Sequence, residues 1–115
     1  MNREQRAAQL WSLLGLAATN RQILTYELVG KLTGFMTAGL GEMLSPIQQY
    51  CIEKKLPPLT AIVVAKQSGL PSVGFTAATD VPAAQMRVFE HHWTATQAPN
   101  EEQLADAYTR APDRR

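Results

Sequence analysis

The sequence predicts one small domain of the α+β class, in which a helix-turn-helix core carries a short β-hairpin and a C-terminal helix closes the fold. Three observations predict this. Apolar residues recur at spacings of three and four through residues 3–18, 25–32, 37–53 and 82–93, the period of a half-buried helix. One run, "LTAIVVAK", is instead β-branched and apolar, the composition of a buried strand. A length of 115 residues with 45% apolar side chains is enough to build one core without covalent staples.

The first helix is predicted over residues 3–18. Leu10, Leu13, Leu14 and Ala17 share a face, with Trp11 beside them, and Arg3, Glu4 and Arg6 occupy a solvated start. Charge followed by apolar residues loosely mimics a secretory leader. Glu4 and Gln5 among the arginines, and Gln9 and Ser12 within the run, favour an amphipathic helix instead. No run approaches the roughly 20 apolar residues of a membrane span, so no membrane partner is expected.

The second helix, over 25–32, has Thr25 as its cap and Gly34 as its stop. A third opens near Thr37 and carries Leu40, Met43, Leu44, Ile47, Cys51 and Ile52 on one face. Pro46 inside that pattern predicts a kink, or a fresh first turn capped by Ser45. Lys54 and Lys55 suit the negative end of this helix. Pro57 and Pro58 then enforce extended backbone before "LTAIVVAK". "KQSGLP" is a turn with Gly69 at its positive-φ position, and "SVGF" is expected to return as the second strand of the hairpin.

"DVPAAQMRVFEHHW" reads as a helix entered through Asp80 and Pro82, with Met86, Phe89 and Trp93 on one core-facing side. The domain is expected to span residues 1–95. Residues 96–115 read as a flexible or marginally helical tail, with capping-box spacing at Asn100 and Gln103 and a thin apolar edge of Leu104, Ala107 and Tyr108.

Chemistry-bearing motifs are sparse. A net charge of +1 leaves no large basic field, so any nucleic-acid binding is expected to be weak. A lone cysteine, Cys51, permits no internal disulfide and suits a reduced cytoplasmic setting as a buried, inert thiol. His91 and His92 are neighbours, pointing about 100° apart on a helix, and cannot share a metal as an i, i+4 pair can. Glu27, Glu42, Glu53 and Glu90 lie in separate segments. Gly34, Gly39 and Gly41 follow no predicted strand and lack the Lys-Ser/Thr ending of a phosphate loop. No catalytic residue, cofactor or metal site is predicted.

The order helix, helix, turn, helix, strand, turn, strand is that of a winged helix, with the hairpin as the wing. Thr37, Ala38 and Gly39 then begin the helix offered to a DNA groove, and their small side chains allow close approach. Lys31 and Lys66 are the expected phosphate contacts, from a cation set that also includes Lys54 and Lys55.

Four stretches, "ILTYELVGKLTG", "AGLGEML", "LPPLTAIVV" and "VGF", resemble the C-terminal domain of alkylguanine-DNA alkyltransferases and alkyltransferase-like proteins. In that family a Thr-Tyr step opens a helix ending in Gly. A recognition helix, the run Pro-Cys-His-Arg-Val-Val and a Gly-Gly-Phe or Gly-Gly-Tyr step follow. The resemblance covers residues 23–75 and implies a winged-helix fold on double-stranded DNA. Aligning Val63 and Val64 with the Val-Val pair puts Thr60 at the nucleophilic cysteine, Ala61 at the histidine and Ile62 at the arginine. Ala38 falls at the arginine that fills the gap left by a flipped base, and Glu42 replaces a second arginine. Tyr26, Gly34 and Gly41 are kept, and residues are added after Leu44. Alkyl transfer is therefore not expected, because a threonine without a base is a poor nucleophile. The first functional expectation is a non-enzymatic DNA-binding or DNA-associated protein. The competing one is a protein-interaction or accessory module, homodimeric or with another partner, favoured by the low charge and Glu42. An enzyme comes third, since its site would need groups from separate segments, such as Tyr26, Thr60 and carboxylates, to converge in one deep pocket.

Overall fold

Every α-helix but the one that begins at Leu40 starts where a side chain accepts one of its first free N–H groups. In the structure, a computed structural model that describes residues 1–72 and 75–111, helix α1 spans Arg3–Thr19 behind a full capping box. Asn2 Oδ1 accepts from the Gln5 N–H and Gln5 Oε1 from the Asn2 N–H, both at 2.8 Å. Its buried stripe is Ala7, Leu10, Trp11, Leu14, Ala17 and Ala18. Strand β1, Leu24–Thr25, leads directly into α2, Tyr26–Thr33, where Thr25 Oγ1 accepts from the Leu28 N–H at 3.1 Å. Gly34, at φ 79°, ends α2 in the left-handed conformation that its missing Cβ permits.

The turn after α2 folds back tightly. A Cβ at Gly30 would stand 3.0 Å from both the Phe35 carbonyl oxygen and Thr37 Oγ1, so only glycine lets this turn close onto the helix. A 3-10 turn, Thr37–Gly39, then feeds α3, Leu40–Glu53. Helix α3 runs unbroken through Pro46, so Ser45 is not a cap. The lost proline N–H bond is one local cost, offset by burying Leu40, Met43, Leu44, Ile47 and Cys51 in the core.

The segment expected as a strand is mostly not one. Leu59–Ile62 forms a 3-10 turn, and only Val63–Val64 is strand β2. β2 pairs in parallel with β1, in the register Leu24 with Val63 and Thr25 with Val64. The physical reason is burial. Leu59, Ala61, Ile62 and Val63 are fully enclosed and packed against α1, α3 and α4, so their apolar character reflects a core position rather than a sheet face. A tight turn follows β2, with the Gly69 N–H donating to the Ala65 carbonyl at 2.8 Å and Gly69 at φ 70°. The expected return strand falls partly on Val73 and Gly74, which lie outside the described residues; Ser72 and Phe75 are not in a strand.

Helix α4, Val81–Glu90, is capped by Asp80, whose Oδ1 accepts from the Ala83 N–H at 3.1 Å. Its buried side is Ala84 and Val88, not Met86, which is exposed. The helix ends before Trp93, so Trp93 is not in register with Met86 and Phe89. It enters the core from a 3-10 turn, Trp93–Ala95, and donates from Nε1 to the Val88 carbonyl at 2.7 Å. There it meets Trp11 edge-on at 5.6 Å, and Trp11 meets Tyr50 in the same way at 5.6 Å.

The stretch read as a tail carries α5, Glu101–Arg110, with the Asn100–Gln103 capping box formed. Leu104 is 0% exposed and Ala107 is buried, and α5 packs on both α3 and α1. Its thin apolar edge suffices because α1 and α3 present a ready groove. Arg110 adds a bidentate pair to Glu53, at 3.0 and 2.6 Å. Among the described residues, the fold is thus a small, mainly helical domain of five α-helices and a two-stranded parallel sheet.

Candidate binding cleft

Lys31 and Lys66 are both exposed, on the last turn of α2 and just beyond β2. Thr37 and Ala38 are exposed on the 3-10 turn, and Gly39 is half-buried behind them. Thr37 and Ala38 line a shallow groove of about 300 Å³ with Tyr26, Glu27, Gly41, Ala65 and Ser72. The start of α3 and the end of β2 therefore meet on one face. Neither lysine lines this groove, whereas Glu27 does.

A second recess, of about 310 Å³, adjoins the first and shares Tyr26, Gly41 and Ser72 with it. Helix α3 contributes Glu42, Leu44, Ser45 and Gln48 to its wall; Thr60, Pro71, Phe75 and Tyr108 complete the lining. Two long-range bonds shape it. Tyr26 Oη accepts from the Ser72 N–H at 3.1 Å, and Gln48 Oε1 accepts from the Thr76 N–H at 2.8 Å. They tie Ser72 to α2 and Thr76 to α3.

Thr60 is the distinctive group. The residue is 5% exposed, and its Oγ1 is buried with no hydrogen-bond partner among the described residues. Such a hydroxyl costs about 1–3 kcal/mol relative to a satisfied one. It sits on the fully packed Leu59–Ile62 turn, so the backbone fixes it there. It can give and accept a hydrogen bond. Neither histidine lines the cleft, and Glu42 is the carboxylate that does, so the recess brings Tyr26, Thr60 and one carboxylate together. The recess thus combines the aromatic side chains of Tyr26, Phe75 and Tyr108 with the polar side chains of Ser45, Gln48 and Thr60.

The remaining candidates disperse. Glu27 and Glu42 lie in the adjoining recesses, Glu53 is paired with Arg110, and Glu90 shares a third recess with His91 and His92. Arg110 holds the Glu53 carboxyl below its usual range. Burial pushes the Cys51 thiol up to about 12, against a smaller opposing effect of the hydrogen bond to the Leu59 backbone, which makes it unreactive. Among the described residues, no three His, Cys, Asp or Glu side chains gather as a metal site, and no helix is long and apolar enough to cross a membrane.

Sequence reasoning missed Gln48, Ser45 and Tyr108 as cleft residues. Gln48 had a usable signal: it is a polar side chain on the apolar face of α3, one residue past Ile47 and three before Cys51. Tyr108 had none, because its place depends on how α5 docks. Comparison with known protein families, curated proteins and solved structures finds no match to the chain.

Proposed function

We propose that the protein is a cytoplasmic, non-enzymatic, DNA-associated binding protein of winged-helix type. The observation that supports this best is the pairing of two recesses. The small residues that lead into α3, Thr37 and Ala38, border a groove next to a recess lined by Thr60, whose hydroxyl is buried and unsatisfied among the described residues, and the two recesses share Tyr26 and Gly41. Thr37, Ala38 and Gly39 approach the duplex, and Lys31 and Lys66 contact phosphate. The cleft receives a base turned out of the stack, as the resemblance to the alkyltransferase domain implies. Thr60 hydrogen-bonds that base and does not attack it, so binding is reversible.

The test is a titration of a short duplex at several salt concentrations. Two phosphate contacts give log K a slope near −2 against log salt, and Lys31→Gln with Lys66→Gln flattens it. Binding that is absent at low salt, or indifferent to salt, refutes the reading.

A second reading, an interaction module that self-associates, is supported by one observation. Leu28 and Leu32 are exposed one turn apart on α2, and Met36, beyond its end, is 79% exposed. Sedimentation over a range of protein concentrations decides it, since a dimer through these residues is broken by Leu32→Glu and needs no DNA.

A further inference from the structure

We propose that Tyr108 on α5, held by Arg3 of α1, is a specificity-determining wall of the cleft that stacks on the bound group. The inference rests on the DNA-binding reading, and extends the site to two helices outside the stretch that resembles the alkyltransferase domain. Tyr108 lines the cleft and is half-buried, while the burial of α5 is accomplished by Leu104 and Ala107. Its ring is therefore not needed to complete the core. The Arg3 guanidinium lies over that ring, 3.9 Å from its centroid. Arg3 is itself oriented by Glu4, with Nε donating to the carboxylate at 2.7 Å. Half a turn beyond Tyr108, Arg110 grips Glu53 of α3. The ring is thus fixed by α1 on one side and by the docking of α5 on the other. An aromatic wall set in place before binding loses little rotamer freedom when a ligand arrives.

The chemistry selects a flat, unsaturated group. Tyr26, Phe75 and Tyr108 supply three rings to one recess, and Gln48, Ser45 and Thr60 supply polar groups between them. Stacking accepts any base, so Tyr108 contributes affinity for an unstacked base over a paired one, while the polar groups choose its edge.

The experiment uses the full chain and its Tyr108→Leu, Tyr108→Phe and Arg3→Gln variants. Each is titrated into a fully paired duplex and into one carrying a mispaired 2-aminopurine, whose fluorescence reports unstacking. The parent is expected to prefer the mispaired duplex. Tyr108→Leu reduces that preference by about fivefold or more, with affinity for the paired duplex held within about twofold. Tyr108→Phe keeps the preference, and Arg3→Gln loses part of it without removing the ring. Circular dichroism of each variant confirms retained helix. A Tyr108→Leu preference equal to the parent's overturns the inference, as does a Phe variant as damaged as the Leu variant. A parent that binds the paired duplex without preferring the mispaired one overturns the base-receiving cleft, and this inference with it, but leaves DNA binding standing. A parent that binds neither removes the DNA reading as well.

Discussion

Replacing Thr60 by valine should make the protein more stable and less able to bind. The two side chains have the same branched shape, so the substitution exchanges a buried hydroxyl for a methyl of similar size. In the folded chain that hydroxyl has no partner among the described residues, while in the unfolded chain water satisfies it. Removing an unsatisfied buried polar group returns about 1–3 kcal/mol of desolvation cost. For a chain of 115 residues the entropy of unfolding is roughly 0.24 kcal/mol/K, so the melting temperature should rise by about 4–12 °C. The assay is thermal unfolding followed by circular dichroism, with urea unfolding as a check at constant temperature. The same variant should lose the preference for a mispaired duplex, because the group that hydrogen-bonds the turned-out base is gone. A melting temperature that falls or stays put would refute the reasoning: it would mean the hydroxyl is satisfied in the free protein, and that the cleft holds no unmet polar group for a ligand.

Two further outcomes follow from the packing and from His91. Leu104→Ala should cost about 2–5 kcal/mol, while Leu32→Ala on the exposed side of α2 should stay within about 0.5 kcal/mol; equal melting temperatures for the two would detach α5 from the core. His91 meets Trp93 edge-on at 4.4 Å and places Nε2 2.7 Å from Thr96 Oγ1; burial, with a smaller effect of His92, lowers its pKa below the usual 6.5. The unfolded chain therefore takes up this proton first, so stability should be full above about pH 6.5 and decline as pH falls toward the folded-state value. Melting temperatures between pH 7.5 and 5.5 should show this decline reduced in His91→Gln, and an identical decline in that variant would assign the effect elsewhere.

What the sequence revealed was mostly local. Thr25, Gly34, Asp80 and Asn100 act within one turn of where they stand, so their capping roles could be read from neighbours alone. The strand was misjudged because β-branched apolar residues mark an enclosed position as readily as a pleated sheet. "LTAIVV" is enclosed by three helices, and only its last two residues meet a strand. Trp93 was misplaced because the apolar spacing continues past the point where α4 stops at Glu90. The cleft was not legible as a unit. Its walls come from α2, α3, the turn at Thr60, residues Pro71, Ser72 and Phe75, and α5, and only tertiary packing brings these together. Thr60 itself was singled out by alignment with a reactive position, but its unsatisfied hydroxyl is a property of its surroundings.

The docking of α5 against α1 also bears on how the chain is made. The apolar stripe of α1 is synthesised first, and one of the helices that cover it comes about a hundred residues later. At roughly 5–20 residues per second, that stripe waits about 5–20 s for its cover. Helix α3 is available sooner, so a ribosome-bound intermediate should hold α1 against α3 with the α5 groove still open. A nascent chain stalled before Glu101 should accordingly be protease-sensitive and a substrate for chaperones that recognise exposed leucine and tryptophan.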